Sequence, residues 1–284
     1  MCITIDMKKD LSHFLIVSDI DGTLNNKLRK TPKVNLEAIR RFTKEEGGHF
    51  TLASARSVDS LYIHYRNLPD ISTPAIVLNG AGIYDFSKEK MLWYNPIPES
   101  SEAIIKAALD KFPSLELAIF TSDSIYLVRP KISSRVMMRL DSLKHTECDS
   151  LDKVPKGDWG KIIFFCMPWN KAEIKKFMLS QKGEGVRYID TSIASFDLVN
   201  KTTNKGMAIE VLAGMLGIEK KNIGAIGDYF NDYDMLKSVA HPACPSQAPA
   251  EIHSLCEFHA CHCNKGAVAD FINYIEKNFE NKKI

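Results

Sequence analysis

No stretch of this 284-residue chain approaches the roughly 18 consecutive apolar residues of a membrane-spanning helix. An excess of charge of one sign is also missing. With 37 Lys+Arg against 35 Asp+Glu, the formal charge of +2 gives no reason to expect nucleic acid or a membrane surface as the main partner. The opening segment, MCITIDMKKDLSHFLIV, lacks the basic region, long apolar core and small-residue cleavage site of a secretory leader, which predicts a cytoplasmic protein. Cysteines number seven, an odd and scattered set in a chain large enough to need no staples, so free thiols in a reducing compartment are expected. Internal repeats and low-complexity stretches are absent. What remains is an ordinary globular composition, 45% hydrophobic and 25% charged, with length enough for one large or two smaller domains.

The apolar pattern reads as alternating strands and helices. Residues 12–18 form a short buried run ending at Asp19. Thr31-Pro32 then starts a helix with Leu36, Ile39 and Phe42 on its apolar stripe and Gly47 at its stop. A strand at 50–53, a helix carrying Val58, Leu61, Tyr62 and Tyr65, and a strand at 75–78 follow. The rhythm returns with a helix through Ala208, Val211, Leu212 and Met215, a strand at 223–226, and a last helix through Val268, Phe271, Ile272 and Ile275. Such alternation predicts an α/β fold with a Rossmann-like parallel-sheet core. Between the halves the pattern changes to paired strands (115–121 with 124–129, and 161–166) and helices at 101–112 and 170–180. The expected organisation is a core of 1–86 and 190–284 interrupted by an α+β insertion at 87–189.

In open α/β sheets ligands gather at the carboxyl ends of the strands. Here those ends read Asp19-Ile20-Asp21-Gly22-Thr23, Ser54-Ala55-Arg56, Asn79-Gly80 and Gly227-Asp228, with Asn231-Asp232 just beyond and Lys205 opening a helix upstream. Several carboxylates, one lysine, a hydroxyl and glycine-bearing turns suit an oxygen-liganded divalent cation, with Mg²⁺ the natural candidate, and a phosphoryl group. A cation would offset carboxylate repulsion and keep one carboxylate ionised as a nucleophile.

The segments LIVSDIDGTL (15–24), ASARS (53–57), NKGMAIEVLAGMLGI (204–218) and GDYFNDYDML (227–236) stand in the order and spacing of the haloacid dehalogenase (HAD) superfamily, and the chain resembles its Cof-type phosphatases. VLNGAGIYD (77–85) and NKGAVADFI (264–272) resemble that subfamily too, whose α/β cap is inserted after the third strand. The resemblance implies that Asp19 is the nucleophile and Asp21 the general acid/base. It implies a metal held by the Asp19 carboxylate, the Asp21 backbone carbonyl and the Asp228 carboxylate, with Asp232 behind those ligands. Ser54, Ala55, Lys205 and Asn231 match phosphate-binding positions, Lys205 also being part of the catalytic set. Ala55 stands where the family usually has glycine, Tyr229 where residues are often small, and Lys265 where an acid is common.

The implied function is a Mg²⁺-dependent phosphatase acting on small phosphorylated metabolites, sugar phosphates or phosphorylated cofactors, with the cap setting specificity. The alternatives are a phosphomutase acting on hexose phosphates and a non-catalytic sugar-phosphate-binding regulator. The run Cys256–Cys263 carries zinc-ligand residue types, but its spacing fits no two-plus-two zinc pattern and its alternation fits a half-buried strand, so buried free cysteines are expected there. Trp93, Tyr94, Tyr126, Trp159 and Trp169 are expected to pack the insertion's core. Arg129, Lys131, Arg135 and Arg139 should form a solvated helical face.

Overall fold

The computed structural model describes residues 10–69, 71–141, 143–181 and 184–279. The expectation drawn from the first residues, the thiol state of Cys2, and the ends of the outer domain bounds lie outside them. The chain divides into two compact units, one formed by 1–55, 61–90 and 204–284, the other by 56–60 and 91–203.

The chain first runs through β1 (Leu15–Ser18), α1 (Lys33–Arg40), β2 (His49–Leu52), α2 (Val58–Tyr65), β3 (Ala75–Val77), β4 (Gly82–Asp85) and β5 (Lys90–Tyr94), the start of α2 and β5 from Met91 on belonging to the second unit and the rest to the first. Every residue of β1 is buried, as a strand covered on both faces of a parallel sheet must be. Past α1 the helical path continues as a wider turn at Arg41–Glu45, which carries Phe42 into the core before Gly47, at φ +77°, turns the chain toward β2. Arg41 grips the Glu276 carboxylate with two nitrogens, at 3.0 and 2.7 Å.

The second unit contains α3 (Ser101–Lys111), β6 (Glu116–Phe120), β7 (Ile125–Val128), α4 (Ile132–Leu140), β8 (Thr146–Cys148), β9 (Lys161–Phe165), α5 (Lys171–Ser180), β10 (Val186–Ser192) and β11 (Ser195–Asn200). Its sheet has the order β10-β11-β9-β6-β7-β8, antiparallel except for the β7–β8 pair. The return to the first unit, expected at 190, falls inside β10. Because β10 pairs with β11 and β11 with β9, the hairpin belongs to the inserted sheet, which carries the second unit on to Thr203. Phe164 and Phe196 stack in its core with ring centroids 4.8 Å apart. Trp159 is buried there as expected, whereas Trp169, preceding α5, is 80% exposed. The basic face is also only partly as expected: Arg135 and Arg139 lie on α4, but Arg129 and Lys131 precede it and bond to backbone carbonyls of Leu109 and Ser114.

The chain re-enters the first unit with α6 (Lys205–Leu216), β12 (Ile223–Ile226), α7 (Tyr233–Ser238), β13 (His241–Pro245), α8 (Ala250–His253), β14 (Phe258–Ala260) and α9 (Ala267–Asn278). The core sheet has the order β14-β13-β12-β1-β2, all parallel, and a bridge between Ala53 and Ile76 brings β3 alongside β2. This is the expected α/β architecture with a parallel core. No helix among the described residues is long and apolar enough to cross a membrane.

Candidate active site

The register of the two central strands decides what meets at their carboxyl ends. Ser18 of β1 lies opposite Ile226 of β12, so Asp19 and Gly227-Asp228 leave the sheet at the same edge, and the Asp19 amide still donates to the Ile226 carbonyl at 3.0 Å. On the other side of β1, β2 ends beside Ser18 and delivers Ser54, whose amide bonds the Ile76 carbonyl at 3.0 Å. Lys205 opens α6. The Asn204 side chain caps that helix by accepting from the Met207 amide at 2.8 Å, which fixes where the lysine starts.

Lys205 is 1% exposed, and its Nζ lies 2.6 Å from Asp19 Oδ1 and 2.6 Å from Asp232 Oδ1. Asp232, 0% exposed, accepts through Oδ2 from the amides of Asp228 at 3.0 Å and Tyr229 at 3.3 Å. With both oxygens so engaged, Asp232 is a brace that ties the lysine to the turn after β12. Carboxylate oxygens of Asp19, Asp228 and Asp232 all come within 4.8 Å of one another. The Thr23 hydroxyl donates to Asp228 Oδ1 at 3.1 Å.

Of the residues singled out in the sequence, Asp19, Lys205, Asp228 and Asp232 therefore form one contiguous group. Ser54 is buried at the end of β2 and Ala55 is half-buried after it. Asp21 is exposed in the turn that follows Asp19, and Asn231 is exposed in the short helical turn Phe230–Asp232. Three participants escaped the sequence reading. Thr23 holds Asp228. Gly22 sits at φ +85°, a conformation that disfavours a side chain, and a Cβ there would collide with the Asp228 carboxylate. Gln247 donates to the Gly22 carbonyl at 2.6 Å from a loop 225 residues away. The first two lie inside the quoted motif, but Gln247 carries no local signal at all.

The electrostatics of this group carry surplus negative charge. Three carboxylates face one ammonium. Burial, reinforced by Asp232 and only partly offset by Lys205, pushes the Asp19 carboxyl up to about 8. Burial and the same neighbour raise Asp228 to about 6, against the hydrogen bond from Thr23. Burial alone would lower Lys205, yet its attraction to Asp19 and Asp232 prevails and holds it above its ordinary value, so it stays protonated. A hard divalent cation fits an all-oxygen donor set with surplus negative charge, and Mg²⁺ is such an ion.

Residues 16–272 match the family of haloacid dehalogenase-like hydrolases. A Bacillus subtilis protein named 5-amino-6-(5-phospho-D-ribitylamino)uracil phosphatase is 25% identical over 292 residues, covering 92% of this chain and 97% of its own. Among solved structures, a haloacid dehalogenase-like hydrolase from Bacteroides thetaiotaomicron superposes with a TM-score of 0.81 at 18% identity, over 92% of this chain and 99% of that one. A sugar phosphatase of HAD subclass IIB superposes with a TM-score of 0.75 at 18% identity, over 92% and 98%. At these identities the structural likeness is one of fold.

Proposed function

The chain belongs to the haloacid dehalogenase-like hydrolases and is a phosphatase, and we propose that it hydrolyses small phosphorylated metabolites in the cytoplasm through an aspartyl-phosphate on Asp19. The observation that carries this reading is the double bridge of Lys205 to Asp19 and Asp232, each at 2.6 Å, with Asp228 beside them at the end of the adjoining strand.

Mg²⁺ would be held by the carboxylates of Asp19 and Asp228 and the backbone carbonyl of Asp21, and it would neutralise the surplus negative charge and keep Asp19 ionised. Asp19 Oδ1 is engaged by Lys205, which orients the carboxylate for attack on phosphorus. As the ester oxygen departs, Asp21 gives it a proton, and the aspartyl-phosphate remains. Asp21, now ionised, takes a proton from water as that water attacks the phosphorus, and free phosphate and the Asp19 carboxylate are regenerated. Lys205 faces the charge that develops on the transferring oxygens, while Ser54, Asn231 and the backbone at Ala55 bind them. The relatives named above act on a ribityl phosphate and on sugar phosphates, which supports a phosphorylated polyol or sugar as the substrate class.

Phosphate release from a panel of phosphorylated sugars and cofactors, with Mg²⁺ or with EDTA, tests the reading in wild type and Asp19→Asn together. Metal-dependent release that the substitution abolishes is expected. Hydrolysis retained in Asp19→Asn would remove the assigned nucleophile, and an isomeric sugar phosphate in place of free phosphate would make the protein a mutase.

A further inference from the structure

The far edge of the core sheet gathers a second set of metal-ligating side chains, of a different chemistry. Cys244 is fully buried in β13, and its register partner in β14 is His259, so parallel pairing turns both side chains to the same face. His253, the last residue of α8, places Nδ1 3.5 Å from Cys244 Sγ. One ligand atom from each of Cys244, His253 and His259 lies within 4.8 Å of the others. The two imidazoles meet edge to face, with centroids 4.6 Å apart. Cys256, three residues after His253 and three before His259, packs against the small apolar cluster that holds Cys244.

Two details separate this group from a chance polar patch. His259 Nε2 lies 3.1 Å from the His253 carbonyl oxygen, and a carbonyl only accepts, so Nε2 carries the proton and Nδ1 keeps its lone pair for a ligand. Bond lengths of about 2.3 Å to sulfur and about 2.0–2.1 Å to nitrogen place tetrahedral zinc ligands about 3.6 Å apart, which is the spacing found between Cys244 and His253. An apolar shell of Leu236, Ile252 and Leu255 closes around the thiols. We propose that Cys244, His253 and His259 form a three-residue Zn²⁺ site that clips β13, α8 and β14 together. One thiolate and two imidazoles favour zinc over the hard cation expected at the carboxylates.

The site is invisible in the 256–263 run because Cys244 comes from another strand, while Cys261 and Cys263 take no part in the group. Its closed segment, 244–259, contains Gln247, the residue that bonds the Gly22 carbonyl. The clip therefore braces a loop that reaches the turn after Asp19.

The test uses the full chain, reduced, stripped with chelator and titrated with Zn²⁺ or with Co²⁺ as a spectroscopic probe. One equivalent of tightly bound Zn²⁺ is expected, and Co²⁺ should give the intense visible bands and sulfur charge transfer of a tetrahedral thiolate site. Cys244→Ser removes a buried ligand and His259→Gln an exposed one that the fold tolerates, and each should weaken Zn²⁺ binding by about tenfold or more. Cys261→Ser and Asp228→Asn should leave the Co²⁺ spectrum unchanged. Absence of a thiolate band in reduced wild type, a band lost in Asp228→Asn but kept in His259→Gln, or a native Cys244–Cys256 disulfide would each overturn the site.

Discussion

Lys205→Met isolates the charge arithmetic of the carboxylate cluster, because methionine fills nearly the same buried volume without the ammonium. In the wild-type protein Lys205 satisfies Asp19 Oδ1 and Asp232 Oδ1 at 2.6 Å each, and neither lysine nor Asp232 reaches solvent appreciably, at 1% and 0% exposure. Removing one member of a buried ion pair costs about 3–5 kcal/mol, because the remaining charge stays desolvated and unpaired. In EDTA at pH 8 the variant should lose stability of that order in urea unfolding. The deficit should shrink on acidification. Asp19, held above its ordinary value in the folded state, takes up a proton there before it does so in the unfolded chain, so stability rises as pH falls through that window. Turnover with Mg²⁺ at pH 7 should fall by about 10²–10³, the usual loss when one preorganised positive donor is taken from developing charge. Urea midpoints equal to wild type at both pH values, with turnover within about threefold, would refute the assignment of Lys205 as the counter-charge of this cluster.

Gly22→Ala should destabilise by at least about 1 kcal/mol for the left-handed backbone alone, and because the added Cβ meets Asp228 it should also weaken Mg²⁺ binding, which calorimetry reads directly. Apparent Mg²⁺ affinity should fall as pH drops from about 8 to about 6, since Asp19 and Asp228, raised to those values without metal, must release protons to bind it; a pH-independent affinity would contradict the shared-charge account. In the second unit Asp197→Ala removes the carboxylate 3.5 Å from the equally buried Lys161, whose ammonium also faces the Phe120 ring, and should cost about 3–5 kcal/mol in thermal or urea unfolding.

The parts of the fold and the site that were legible in the sequence are those specified locally. Asp19, Asp228 and Lys205 each follow or open a regular element, and parallel register carries local position into spatial neighbourhood without further information. The core's strand-helix alternation was readable for the same reason. The missed features depend on contacts between distant segments. Residue 190 looked like a return to the core because 186–200 alternates as either unit might; only pairing of β11 with β9 assigns it to the inserted sheet. Trp169 looked like core because aromatic residues usually are, but it stands before α5, whose buried residues are Ile174 and Met178. Gln247, reaching Gly22 across 225 residues, belongs to no motif.

The two metal-ligating groups on this sheet make opposite demands, and that bears on how the activity assay is read. Hard carboxylate oxygens at the ends of β1 and β12 suit an ion that exchanges readily, whereas the buried Cys244 sulfur with the imidazoles of His253 and His259 suits one that stays. EDTA strips both, so lost activity in EDTA does not by itself identify the ion that serves the chemistry. Adding back Mg²⁺ alone separates them. Hydrolysis should return, since no thiol or imidazole of the second group bonds Asp19, Lys205 or Asp228, while the melting temperature should stay below that of the zinc-replete protein until Zn²⁺ is restored. If Zn²⁺ alone restored turnover and Mg²⁺ did not, the carboxylate cluster would have to bind a softer ion than its oxygens select, and the reasoning from donor chemistry would fail at both sites.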